Sequence, residues 1–247
     1  MFFAPLTEGP PPRTILDVAT GTGDWAIQMG DLFPQSEITA TDLSPIQPAE
    51  VPPNVNFYVE DSYVASLHVR PCMFIDHIAD TRGIFSSETW DYTHKFDFIH
   101  TRVTAGCWSD FKTQIAEQAF ASLYPGGWFE SQEFDARINC DDGTLSEESA
   151  MVRWFRDMAG AGEKVNRPLI LGPHLRRIYE EVGFVDVHER IHKIPTNGWA
   201  RDERLKELGR MWERNMQLGM SGFSCALFNR VYGRSVAETE VSHTPVK

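Results

Sequence analysis

The sequence predicts an α/β fold with a mostly parallel central sheet, flanked by helices and followed by a helical C-terminal addition. Two observations carry this prediction: short apolar runs typical of buried strands alternate with segments of helical spacing, and the first such run ends in a glycine-containing turn. This alternation is typical of βαβ units, whose strands are parallel. In chain order, the predicted central strands are residues 14–18, 37–42, 54–60, 95–101 and 128–134.

Helices are indicated where apolar residues recur every three or four positions. These segments are residues 24–33, 110–123, 147–161, 174–182 and 201–232, the last of which forms the C-terminal addition. Apolar and polar residues alternate over residues 185–194, which predicts a further strand. We interpret residues 1–233 as a single domain, residues 62–87 as an insertion between the third and fourth strands, and residues 234–247 as a disordered tail.

The composition argues against several classes of protein. The chain has 247 residues and a formal net charge of -12, so its surface repels phosphate backbones and we expect no nucleic-acid partner. No apolar run approaches the roughly 20 residues that cross a bilayer, so we expect no membrane partner. The four cysteines, Cys72, Cys107, Cys140 and Cys225, form no CxxC pair, which predicts neither a zinc site nor a disulfide framework. We therefore expect a cytoplasmic protein, with the nucleus left open, and no bound metal.

The turn after the first predicted strand carries the strongest signal for a ligand. Asp17 is followed by the loop residues Ala19, Thr20, Gly21 and Gly23, directly before a predicted helix. A ligand that lies across the carboxyl edge of a parallel sheet must approach this turn closely, which requires glycines. The carboxylate of Asp17 favours a cationic ligand and repels a pyrophosphate. Since S-adenosylmethionine carries both an ammonium and a sulfonium group, we predict S-adenosyl-L-methionine as the cofactor.

Acidic residues also end the next two predicted strands. Asp42, with Leu43 beside it, ends the second strand, where a carboxylate can accept hydrogen bonds from both ribose hydroxyls of an adenosine. Glu60 and Asp61 end the third strand, where a carboxylate can accept from an adenine amino group. Because the carboxyl ends of parallel strands meet at one edge of the sheet, we predict that these residues form one cofactor site.

A nicotinamide cofactor is the alternative for this edge. The stretch from Gly21 to Ala26 matches the GxGxxA fingerprint of dinucleotide-binding folds, and Asp42 follows at about the expected spacing of 20 residues. Asp17 before the glycines and Asp61 after the third strand favour the methyl donor instead.

Several longer stretches resemble the fungal LaeA-like methyltransferases of secondary metabolism. These are ILDVATGTGDWAIQM at 15–29, DLSPIQP at 42–48, VPPNV at 51–55 and LYPGGWFESQEFD at 123–135. The resemblance covers nearly all of residues 13–233 and implies a Rossmann-like class I methyltransferase fold. It further implies that S-adenosylmethionine is bound by Asp17, Ala19, Gly21, Gly23, Asp42 and Asp61. Ala19 stands where the family usually has a glycine.

The sequence departs from that family in three places. Relatives usually carry helices before the first strand. In this sequence, only a dozen residues precede Arg13. Relatives join the third and fourth strands by a shorter connection, whereas this chain has the additional residues 62–87 between them. Relatives also have another helix after the part that corresponds to the last residues of this sequence.

The resemblance implies a methyltransferase that acts on a small-molecule or peptide secondary metabolite. Two other functions stay open, because one fold supports several activities. The first is a cofactor-binding regulator of secondary metabolism that acts through protein partners, and the second is a cyclase of methyltransferase fold that transfers no methyl group. The sequence chooses neither the acceptor atom nor the oligomeric state.

Catalytic candidates follow from the position of the methyl group, which the carboxyl ends of the fourth and fifth strands would face. His100 and Arg102 lie at the end of the fourth strand. His100 is a candidate general base, with burial in the sheet as the alternative. Arg102 is a candidate to orient the substrate, and an ion pair with Glu133 is the alternative.

A zinc-protease signature, HExxH, occurs from His188 to His192. That chemistry requires both histidines on one face of a helix, whereas the alternation here predicts a strand. We therefore do not interpret this motif as a metal site.

Overall fold

The computed structural model describes residues 2–59 and 90–243, with side chains described up to residue 240. Its strands are β1 (Thr14–Val18), β2 (Glu37–Asp42), β3 (Val55–Val59), β4 (Phe96–Arg102) and β5 (Leu123–Gln132). Its α-helices are α1 (Asp24–Leu32), α2 (Glu117–Ser122), α3 (Ala150–Lys164), α4 (Leu175–Val182), α5 (Glu203–Tyr232) and α6 (Val236–His243). A π-helical segment, Lys112–Ala116, leads into α2, and a 3₁₀ turn, Gly172–His174, leads into α4.

The five strands form one parallel sheet in the order β3-β2-β1-β4-β5. The strand order reverses between β1 and β4, because β2 and β3 lie on one side of β1 and the later strands lie on the other. In open α/β sheets of this kind, ligands bind outside the carboxyl ends of the strands at the point of reversal. The predicted α/β class and parallel sheet are confirmed, and the topology directs attention to the ends of β1, β2 and β4.

Strand β1 is buried on both faces, as its continuous apolar run predicts. Ile15 packs on one face with Trp25 and Met29 of α1. Leu16 packs on the other face with Ile115, which precedes α2. Since both faces are covered, the functional side chains are presented at the edge of the sheet.

The Pro-Gly-Gly sequence at 125–127 lies inside β5, although it is typical of a turn before a strand. Phe96 pairs with Leu123 while Phe98 pairs with Trp128, so five steps along β5 oppose two along β4. This irregularity is a bulge, and Gly126 takes a left-handed φ of 84° within it. Strand β5 therefore begins earlier than the sequence predicts.

The described contacts divide the chain into two compact units, where the sequence predicted one domain over residues 1–233. The first unit runs to Asp135 and includes Leu171–Val187, and the second comprises Ala136–Ile170 and the chain from His188 onward. In the second unit, α3 and α5 pack around Trp154, Met158 and Phe228. None of the described helices is both long and apolar enough to span a membrane.

Helix α6 occupies residues that the sequence predicted to be part of a disordered tail. A capping box accounts for the difference. The Glu238 carboxylate accepts from the Ser235 backbone N–H at 2.8 Å, and the Ser235 hydroxyl accepts from the Glu238 backbone N–H at 3.3 Å. The sequence Ser-Val-Ala-Glu at 235–238 carries this signal, so the helix start could have been predicted.

The strand predicted over residues 185–194 is wrong, because the structure gives these residues neither strand nor helix. Val185 and Ile191 are 83% and 84% exposed, so the alternating apolar residues cover no face of a sheet. The HExxH motif from His188 to His192 is not helical either, and its histidines do not share the helix face that zinc binding requires.

The insertion predicted at 62–87 lies outside the described residues, as do Glu60, Asp61 and Cys72.

Candidate cofactor site

The loop between β1 and α1 turns sharply through three left-handed residues. Ala19, Gly21 and Gly23 have φ angles of 57°, 62° and 81°, respectively. A left-handed conformation costs a residue with a Cβ roughly 1–2 kcal/mol, and glycine carries no such penalty. This explains why the related family usually has glycine at the position of Ala19, where this chain holds an alanine in the same conformation.

Gly21 and Gly23 serve different physical purposes. A Cβ on Gly23 would lie 2.4 Å from Phe57 Cζ, so this glycine is required by packing against β3. A Cβ on Gly21 would meet no heavy atom of the described residues within 4 Å. Gly21 therefore borders open space, where a ligand could lie in direct contact with the backbone.

Asp17 lies beneath this loop, at the end of β1, and is only 2% exposed. The Thr20 hydroxyl donates to its Oδ2 at 2.5 Å, and His100 Nδ1 lies 2.8 Å from its Oδ1. The sequence predicts that Asp17 lies near the cofactor amine, and this stays a prediction. In the structure both carboxylate oxygens have protein partners, so Asp17 also supports the loop and supplies negative potential next to it.

Asp42 ties the loop after β2 to the loop after β1. Its Oδ2 accepts from the Gly21 backbone N–H at 2.8 Å, and its Oδ1 accepts from the Ser44 backbone N–H at 2.9 Å. Asp42 is half-buried and the adjacent Leu43 is 47% exposed. Because each carboxylate oxygen has two lone pairs, Asp42 can still accept further hydrogen bonds from a ligand.

Gln47 completes this connection and was missed by the sequence reasoning. Its side-chain amide donates to the carbonyl of Gly21 at 2.6 Å and to the carbonyl of Ser44 at 2.9 Å. No local pattern in the sequence marks this role, because Gln47 and Gly21 lie 26 residues apart. The structure thus brings Asp17, Thr20, Gly21 and Asp42 together at one edge of the sheet, as predicted.

His100 and Arg102 lie in different environments at the end of β4. His100 is 1% exposed, and the Trp25 ring stacks on it with centroids 3.8 Å apart and planes inclined by 2°. A general base must contact the proton that it removes, so the structure does not support the predicted base role of His100. Arg102 is exposed and available to a substrate.

The alternative ion pair between Arg102 and Glu133 does not form. Glu133 instead accepts from the backbone N–H and hydroxyl of Thr104 and from the backbone N–H of Ala105, at 2.7–3.1 Å. Burial raises the pKa of this carboxyl, although these donors favour its ionised form. Glu133 therefore holds the loop that follows β4.

Val103 begins that loop in a strained conformation. Its φ is 55°, which is rare for a β-branched residue, and its side chain is 53% exposed. Its backbone N–H donates to the carbonyl of Gln132 at 3.0 Å. Strain of this kind clusters at functional sites, and Val103 directly follows β4 at the carboxyl edge of the sheet.

Replacing Val103 with glycine should stabilise the protein by about 1 kcal/mol, because relief of the left-handed strain exceeds the added entropy of the unfolded chain. Urea unfolding measures this change. Val185→Gly is the matched control, since Val185 is exposed and has no positive φ. A loss of stability in Val103→Gly as large as in the control would show that the conformation is not strained.

Comparisons with known proteins identify the family of the chain. The family model of a methyltransferase domain matches residues 2–189. Methyltransferase pytC of Aspergillus terreus is 36% identical over 248 residues, covering 100% of this chain and 68% of that protein. The secondary metabolism regulator LAE1 of Cochliobolus heterostrophus is 31% identical over 219 residues, covering 88% of this chain and 64% of that protein. The chain thus spans about two thirds of the length of these relatives.

Among solved structures, phosphoethanolamine N-methyltransferase 2 of Haemonchus contortus in complex with S-adenosyl-L-methionine is similar, with a TM-score of 0.49. It is 16% identical in sequence, and the match covers 94% of this chain and 44% of that one.

Proposed function

The chain belongs to the fungal LaeA-like family of S-adenosylmethionine-dependent methyltransferases, and from this premise we propose that it methylates a small-molecule or peptide metabolite. The observation that carries the proposal is the half-buried Asp42 carboxylate, joined to Gly21 at the border of open space. A carboxylate at the end of β2 suits the two hydroxyls of a ribose, and the bare Gly21 backbone suits the amino-acid end of the cofactor.

The residues around this edge fit a cationic cofactor. Asp17 and Asp42 bring two carboxylates to the loop, and we propose that their combined negative potential favours the sulfonium and ammonium groups. The exposed Leu43 offers apolar surface beside Asp42 for the adenine ring. Glu60 and Asp61, for which the sequence predicts a contact with the adenine amino group, stay predictions.

Methyl transfer requires from the protein mainly that it position the methyl donor and the acceptor. S-Adenosylmethionine supplies an electrophilic methyl group on a positively charged sulfur, and transfer requires an acceptor atom in line with that bond. In our proposal, the loop at 19–23 and Asp42 fix the donor, while Arg102 orients an acceptor that carries a negative or strongly polar group. The left-handed turn at Val103 would set the distance between the two.

Calorimetric titration of the protein with S-adenosylmethionine and S-adenosylhomocysteine tests the proposal. We expect binding of one equivalent with a dissociation constant on the order of micromolar. Candidate acceptors are then tested by acceptor-dependent formation of S-adenosylhomocysteine. A folded protein that binds neither compound would overturn the cofactor site and the enzymatic function with it.

A regulatory function is the second candidate, because one relative is itself named a secondary metabolism regulator. In this case the protein would bind the cofactor and form a stable complex with a protein partner. Turnover of S-adenosylmethionine by the isolated chain with a metabolite acceptor would decide against it.

A further inference from the structure

His100 is the most deeply buried titratable side chain next to the cofactor loop, and the proposed chemistry does not use it. It is 1% exposed, lies in the central part of the sheet, and pairs in register with Asp17 of the neighbouring strand β1. A side chain in this position contacts no substrate. His100 contacts other protein side chains, and its hydrogen-bond partner Asp17 is in turn bonded to Thr20 of the loop.

A continuous set of hydrogen bonds connects His100 to that loop. Nδ1 of His100 lies 2.8 Å from Asp17 Oδ1, and the other oxygen of Asp17 accepts from the Thr20 hydroxyl at 2.5 Å. The Thr20 backbone N–H in turn donates to the carbonyl of Thr41 at 2.8 Å. The position of Thr20 therefore depends on the orientation of the buried Asp17 carboxylate, and the hydrogen bond from His100 fixes that orientation.

The protonation of the ring follows from its surroundings. Nε2 of His100 is buried and has no hydrogen-bond partner among the residues that the structure describes. A proton on Nε2 alone would leave a buried donor unsatisfied and would leave Nδ1 facing a carboxylate without a hydrogen. The proton therefore sits on Nδ1 and is donated to Asp17, and the stacked Trp25 ring holds the imidazole in the required plane.

We propose that His100 is a positioning residue for the cofactor loop, which acts by donating from Nδ1 to Asp17. Asp17 then holds Thr20, and the left-handed turn from Ala19 to Gly23 keeps the form that binds the cofactor. The inference rests on the proposed function, because it assumes that this loop contacts S-adenosylmethionine. It assigns His100 a role different from that of a base.

Asparagine and glutamine at position 100 separate this role from simple packing. The amide nitrogen of asparagine can occupy the place of Nδ1, whereas that of glutamine extends to the place of Nε2. We expect His100→Asn to bind S-adenosylhomocysteine nearly as tightly as the unmodified protein. We expect His100→Gln and His100→Leu to bind it about tenfold more weakly or worse, as the loss of a hydrogen bond to a charged group predicts.

Thr101→Val is the matched control. Thr101 is 0% exposed and neighbours His100 in β4, and its side-chain hydroxyl shares a hydrogen bond with the Ser131 hydroxyl at 3.0 Å, on the side of β5. We expect this variant to lose thermal stability without losing affinity. Binding is measured by calorimetry at a temperature at which thermal unfolding shows every variant to be folded.

The outcomes distinguish the two proposals. If the unmodified protein does not bind S-adenosylhomocysteine, the proposed function fails and this inference fails with it. If it binds and His100→Gln binds equally well, the positioning role is wrong while the cofactor site stands. The same conclusion follows if Thr101→Val weakens binding as much as His100→Gln, or if asparagine fails to restore it.

Discussion

Asp42→Ala should weaken the binding of S-adenosylhomocysteine by about 100-fold, because the variant loses a carboxylate that would accept from two ribose hydroxyls. The same change removes the acceptor of the Gly21 and Ser44 backbone N–H groups, so the two loops that border the site also lose their connection. Calorimetric titration at neutral pH measures the effect. S-Adenosylhomocysteine is the better probe, since it is not consumed by slow transfer.

Two matched variants show whether the charge or the connection matters. Asp42→Asn keeps an oxygen that can accept from one backbone N–H, and we expect it to retain more affinity than Asp42→Ala. Glu37→Ala removes an exposed carboxylate from the opposite end of the same strand, and we expect it to bind as the unmodified protein does. An affinity in Asp42→Ala within about threefold of the unmodified protein would place the ribose elsewhere.

The parts of the site that depend on local chain signals could be predicted from the sequence. Strands β1 and β2 have the predicted bounds, Thr14–Val18 and Glu37–Asp42. A strand buried on both faces reads as an apolar run, and its end is marked by an acidic residue and a glycine turn. The gathering of Asp17, Gly21 and Asp42 at one edge then follows from the parallel order of the strands.

The partners of buried side chains could not be predicted in this way. Asp17 and His100 lie 83 residues apart, and their contact depends on the register between β1 and β4. A one-residue shift of that register would send the two side chains to opposite faces. The sequence therefore identified His100 as a residue at the site but not as a buried donor to Asp17.

The segment 185–194 shows the complementary limit. Its alternating pattern is typical of a strand, yet a strand also needs a hydrogen-bonded neighbour, and the described sheet ends at β5. Apolar periodicity predicts which residues could share one face of a strand. Whether other elements pack against that face depends on the remainder of the fold. The exposed Val185 and Ile191 illustrate a face that is not covered.

Gly21→Ala and Gly23→Ala should separate binding from stability within one loop. Both glycines are left-handed, so an alanine costs about 1 kcal/mol at either position. At Gly23 the new methyl group would also lie 2.4 Å from Phe57, so the ring must move and the total loss should reach about 3 kcal/mol. At Gly21 the methyl group meets no atom among the residues that the structure describes, and the loss of stability should stay near the conformational cost.

For the affinity of the folded protein, we expect the larger loss in Gly21→Ala and the smaller loss in Gly23→Ala. The methyl group of Gly21→Ala would enter the space that we assign to the cofactor, and we expect S-adenosylhomocysteine to bind about tenfold more weakly or worse. Urea unfolding gives the stability of each variant and calorimetry gives its affinity. If Gly21→Ala is mildly destabilised and still binds normally, the open space beside Gly21 does not hold the cofactor. If it binds weakly while losing little stability, the glycine is required by a ligand, because none of the described residues occupies the place of its missing side chain.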